Sequence, residues 1–74
     1  MTTQDAANLT ARANAITAQA NLVNSSVLHN QANIAHNAAA SGWTSLGNTA
    51  VAAMHTATAA VHAATTTTLK NAGK

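Results

Sequence analysis

The 74 residues include no cysteine, proline, phenylalanine or tyrosine, and Trp43 is the only tryptophan. Without cysteine there is no disulfide to staple a small domain, no thiolate to hold a metal or attack a substrate, and no redox signature of a compartment. Charge is equally scarce. Asp5 is the only acid, Arg12, Lys70 and Lys74 are the only permanent bases, and nothing from Ala13 through Leu69 is charged while the histidines are neutral. The pI near 10 therefore reflects three bases against one acid rather than a basic patch. Nucleic-acid binding calls for clustered Lys and Arg with stacking aromatics, so no nucleic-acid partner is expected. No enzyme is expected either: there is no Gly-rich phosphate loop or Gly-x-Ser-x-Gly elbow, and Asp5, at the start of the chain, is too far from the helical body to orient a histidine there. The uncharged stretch is interrupted every few residues by Asn, Gln, His, Ser or Thr, which argues against a membrane span. Met1 to Leu9 has neither the basic nor the apolar region of a secretory leader, so any export is expected to be leaderless.

What the chain does have is alanine, which supplies most of the 47% hydrophobic fraction. Alanine removes little apolar area from water, and the few larger side chains do not outweigh the ordering entropy of a lone small domain. With disulfides closed off, a metal or partner subunits must supply the remainder. The uncharged middle favours partner subunits: a near-neutral surface promotes association, and a surface charge would be repeated beside itself in every copy of a polymer.

Local signals point to an all-α antiparallel hairpin of two long helices. Thr2 and Asp5 are spaced as a capping box. Gly42 and Gly47 mark a turn over residues 41–48, with Gly42 ending one helix in the left-handed conformation and Asn48 or Thr49 capping the next. The first helix is expected over about 3–40 and the second over about 48–67, with the run Thr65 to Thr68 fraying at the C-terminus. Two stripes at 3,4 spacing run along the first helix. One carries Leu9, Ala13, Ile16, Ala20, Val23, Val27, Asn30, Ile34 and Asn37, and the other Ala11, Ala15, Ala18, Leu22, Ser25, His29, Ala32, His36 and Ala39. The second helix repeats the pattern with Met54 and Val61 on one side and Ala52, His55, Ala59, His62, Thr66 and Leu69 on the other. A helix apolar or small on two faces is buried on both. A hairpin can bury only one face of each helix, so Leu9, Ile16, Val23, Val27, Ile34, Met54 and Val61, with Trp43 at the turn, are the expected self-assembly surface.

His29 and His36 are spaced like His55 and His62, and the pairs His29/His62 and His36/His55 have residue numbers adding to the same total. In an antiparallel hairpin equal totals mean facing positions, so the histidines are expected to face each other in the inner seam. The leading reading is neutral imidazoles bonded to one another, to Asn and Thr side chains or to water, with no cofactor. The alternatives use the same four residues, as bis-histidine ligands of haem or as a transition-metal site.

The short length, the absence of cysteine and proline, the wealth of Ala, Asn, Gln, Ser and Thr, and segments such as Ala18-Gln19-Ala20-Asn21-Leu22 and Leu46-Gly47-Asn48-Thr49-Ala50-Val51 resemble the Hrp-type pilins of plant-associated type III secretion systems. That resemblance implies a subunit passed through export machinery and assembled helically into an extracellular or cell-surface filament. The composition is also similar to that of R-body ribbon proteins, which implies a polymer inside the cell. Ala- and Thr-rich helices further resemble helical antifreeze proteins, although the threonines here do not keep that family's period. The sequence thus predicts a structural homopolymer built from helical hairpins, with a cofactor-binding hairpin and an ice-binding protein as alternatives.

Overall fold

A computed structural model describes residues 1–74. It is all-helical, with α1 over Thr3–Val23, α2 over Ser26–Ser45 and α3 over Thr49–Asn71. The helix expected over 3–40 is thus two helices, and the fold has three helices rather than two. The break lies at Asn24, which adopts the left-handed conformation at φ 57° and ψ 47° while its N–H still bonds the Ala20 carbonyl. Asn tolerates this region better than other side-chain-bearing residues, and Ser25, in extended conformation, serves as N-cap of α2. The sequence stripes run unbroken through this point, so periodicity alone gives no sign that the chain reverses there.

The other ends have equally local causes. The Thr2 hydroxyl accepts from Asp5 N–H at 3.1 Å and the Asp5 carboxylate accepts from Thr2 N–H at 3.0 Å, completing the capping box. Hydrogen bonding from Thr2, first its backbone N–H and then its side chain, holds the Asp5 carboxyl below its usual pKa. Gly42 does not end a helix. It is buried inside α2, where an added Cβ would lie 2.7 Å from Met1 Sδ and 3.2 Å from Leu9 Cδ1. The turn is made instead at Gly47, with φ +79°, and Asn48 caps α3 by accepting from Val51 N–H.

The threonine run does not fray. Thr65, Thr66, Thr67 and Thr68 each donate their hydroxyl to the carbonyl four residues back, at 3.0, 2.8, 3.3 and 3.2 Å. Thr66 and Leu69 are both buried, so packing overrides the weak helix propensity of this segment.

α2 is the central helix and packs against both neighbours, while α1 and α3 make no close backbone approach to each other. The seam of α3 is Ala52, His55, Ala59, His62, Thr66 and Leu69, as the periodicity predicts; that of α2 includes His29, Ala32, His36 and Ala39. On α1 the buried residues are Ala6, Ala13 and Ala20, all at 0% exposure, with Thr10 and Thr17 interleaved. This row keeps Ala13 and Ala20 of the first expected stripe but is rotated from it, with Ala6, Thr10 and Thr17 in place of Leu9, Ile16 and Val23. Leu22, placed by its spacing in the histidine-bearing stripe, is instead 86% exposed, because the reversal at Asn24 carries it away from the α2–α3 seam. No helix is long and apolar enough to cross a membrane.

If the break at Asn24 is held by its left-handed backbone, Asn24→Gly should be tolerated and Asn24→Val should cost about 1–2 kcal/mol. Urea denaturation followed by circular dichroism at fixed protein concentration checks this. A more stable Asn24→Val variant would mean that α1 and α2 join into one helix.

Candidate functional site

The interior of this bundle is lined by polar rings where most small domains have aliphatic ones. All four histidines are buried, at 3 to 8% exposure, and no large side chain is fully buried. Their partners follow from register. His29 and His62 meet through their Nδ1 atoms at 2.8 Å, and His36 and His55 through theirs at 2.9 Å. The rings of each pair are tilted, with centroids 5.1 and 5.2 Å apart, and His36 stacks on His62 at 5.6 Å.

Sequence reasoning finds these pairs but misses what α1 adds. The Thr17 hydroxyl lies 2.7 Å from His36 Nε2 and 3.1 Å from His62 Nε2, joining the two pairs. Thr10 lies 2.9 Å from His55 Nε2 and accepts from Trp43 Nε1–H at 2.8 Å. Thr10 and Thr17 are each 45 residues from the α3 histidine they meet, as parallel α1 and α3 require. Thr10 with Trp43 and Thr17 with His36 share one residue-number total, as antiparallel α1 and α2 require. The signal was available, since Thr10 and Thr17 repeat the histidine spacing. Trp43, expected at the assembly surface, is half-buried and bonded inward.

The result is one continuous line: Trp43, Thr10, His55, His36, Thr17, His62, His29. Every histidine ring nitrogen on it has a partner except His29 Nε2, which is buried and unpaired. Haem or a metal ion held by these rings would have to break that line, because the same lone pairs already take part in hydrogen bonds. No group of three or more potential metal-ligating side chains is arranged around a common point.

The line holds no compensating acid. Burial first, then the charges of His55 and His62, pushes the His36 pKa below its ordinary value; burial and then the charge of His29 do the same to His62. The arrangement joins hydroxyls and imidazoles in direct hydrogen bonds, which can hold and pass protons.

The other named surface residues divide by exposure. Val23, Val27, Ile34, Met54 and Val61 are exposed. Leu9 and Ile16 are half-buried and line, with Arg12 and Ile34, an apolar groove of about 220 Å³ between α1 and α2. Ala13 and Ala20, in the same sequence stripe, belong to the interior.

Compared with protein-family models, with curated proteins and with solved structures, the chain matches none.

Because the pKa values of His36 and His62 are lowered in the folded state, stability should be fully present above the unfolded value of about 6.5 and be lost as pH falls through the lowered values. Denaturation midpoints measured across this range check the sign, and joint replacement of His36 and His55 by Gln should weaken the acid sensitivity more than the single changes predict. Thr17→Val strands imidazole nitrogens on two rings and should destabilise by about 1–3 kcal/mol. Thr67→Val, whose hydroxyl serves only its own helix, should stay within about 0.5 kcal/mol. Equal effects of the two valine variants would mean that the Thr17 bonds do not hold the bundle.

Proposed function

We propose that this chain is a structural subunit that assembles with copies of itself into a filament through its exposed aliphatic rows. The observation that carries this reading is the inverted placement of side chains: Val23, Val27, Ile34, Met54 and Val61 are 61 to 69% exposed while the interior is alanine, histidine and threonine. Large exposed aliphatics on a nearly uncharged surface favour association. Val27 and Ile34 recur at heptad spacing on α2, and so do Met54 and Val61 on α3, the repeat with which helices pack knobs into holes. A second copy is the partner that matches these rows, because both sides then offer the same uncharged 3,4 surface. The rows sit on different helices, so one neighbour does not cover them all, and contacts on more than one face extend into an open polymer rather than a closed dimer. The compositional resemblance to Hrp-type pilins supports a filament outside the cell or at its surface, supplied by export machinery; a polymer inside the cell is the alternative location.

The expected behaviour is concentration-dependent assembly with gain of helix, seen by sedimentation velocity and circular dichroism over a dilution series, and filaments of uniform width by negative-stain microscopy. Val27→Asp and Val61→Asp should each block it, because the introduced carboxylate is desolvated in every subunit. A monomer that melts cooperatively and independently of concentration, or normal filaments from both variants, would overturn the reading.

A further inference from the structure

We propose that Thr10, His55, His36, Thr17, His62 and His29 act as one hydrogen-bond relay that binds a single proton as a unit, taking it up from the groove between α1 and α3. Contacts run unbroken from the Thr10 hydroxyl to His29, none longer than 3.1 Å.

Each of the six groups carries one exchangeable proton when neutral, one O–H per threonine and one N–H per imidazole. The five links between them use one proton each, which leaves one over, and that one sits at an end of the line when the Thr17 O–H is itself used in a link. An arrangement with Thr17 accepting from both His36 and His62 leaves its part-buried O–H without an acceptor. Two arrangements keep every link with the Thr17 proton used on the line. In one, Thr10 donates to His55, every later bond points the same way, and His29 ends with an Nε2–H. In the other every bond is reversed, His29 presents a bare Nε2 lone pair, and the Thr10 hydroxyl is free to turn outward. The unpartnered Nε2 of His29 is what this count requires, since the line ends there with nothing beyond it. Both arrangements put His29 and His36 in one tautomer and His55 and His62 in the opposite one.

The entrance is open at the other end. Thr10, Thr17, His36 and His55 line a groove of about 310 Å³ between α1 and α3, the two helices without close backbone contact. A proton from water in that groove bonds to Thr10 Oγ1, which passes its own proton to His55 Nε2. Each following link can pass on one proton in turn, so the charge is shared among the four imidazoles. Only O–H and N–H bonds form or break, and no electrons are transferred. A second proton is opposed because ring centroids only 5.1 to 5.6 Å apart would carry like charges. No other titratable group faces the line. α1 presents Thr10 and Thr17 while its Asp5 and Arg12 are exposed, α2 presents only its two histidines with Trp43, and α3 presents its two histidines while Lys70 is exposed.

The test is ¹⁵N nuclear magnetic resonance of the labelled protein, in solution or as assembled material, comparing wild type with Thr17→Val and Thr17→Ser. At neutral pH the wild type should show one shared tautomer for His29 and His36 and the opposite one for His55 and His62. On acidification all four should respond at one common midpoint, with uptake of one proton per chain. Thr17→Val cuts the line into two pairs, so the tautomers of His29 and His62 should no longer follow those of His36 and His55 and the common midpoint should split between the pairs, and Thr17→Ser should restore the wild-type pattern. If Thr17→Val does not fold, the wild-type tautomers decide alone. Unrelated tautomers, four separate midpoints, or a folded Thr17→Val variant that titrates as wild type would overturn the relay.

Discussion

A buried neutral imidazole has one donor and one acceptor nitrogen, and both must be matched within the protein if water is excluded. Four such rings in one small interior set a severe requirement, and nearly every structural feature around them serves it. Alanine layers keep the helices close enough for rings on α2 and α3 to meet nitrogen to nitrogen at 2.8 and 2.9 Å. α1 supplies hydroxyls, those of Thr10 and Thr17, at the histidine spacing. α1 is held to α3 through these polar bonds rather than through backbone proximity, so the requirement of the rings also fixes where α1 lies.

The same requirement explains why so much aliphatic surface faces outward. Interior positions of the 3,4 seams are taken by alanine, histidine and threonine, which leaves valine, isoleucine and methionine for the opposite faces. Polar pairs specify register well, because a shift of one turn leaves buried nitrogens unmatched, but they contribute less net stability than aliphatic burial. A bundle made this way is well defined and weakly driven. Covering its outer rows with copies of itself adds the missing hydrophobic contribution, which links the polar interior to the proposed assembly.

The parts of the fold legible in the sequence were those fixed by periodicity between helices. The α3 seam and the pairing of His29 with His62 and His36 with His55 follow from spacing alone, because antiparallel register turns equal totals into contacts. The reversal at Asn24 did not show, since its cause is the backbone conformation of one residue and the stripes pass through it undisturbed. Asn24-Ser25-Ser26 is a legible stop-and-cap signal only once the stripe is set aside. Missing the reversal hid the third helix, and with it the roles of Thr10, Thr17 and Trp43. Gly42 misled for a related reason: its lack of a side chain makes room for Met1 and Leu9 rather than freeing the backbone, and a sequence does not distinguish these uses.

Everything rests on imidazole bonded to imidazole inside the bundle, and that bond is directly observable. A proton shared between two nitrogens transmits a scalar coupling between them, so ¹⁵N–¹⁵N coupling across the hydrogen bond identifies each pair without reference to stability or assembly. In the folded protein at neutral pH, coupling should join Nδ1 of His29 to Nδ1 of His62 and Nδ1 of His36 to Nδ1 of His55. Absence of both couplings, with ring protons exchanging freely with water, would contradict the account.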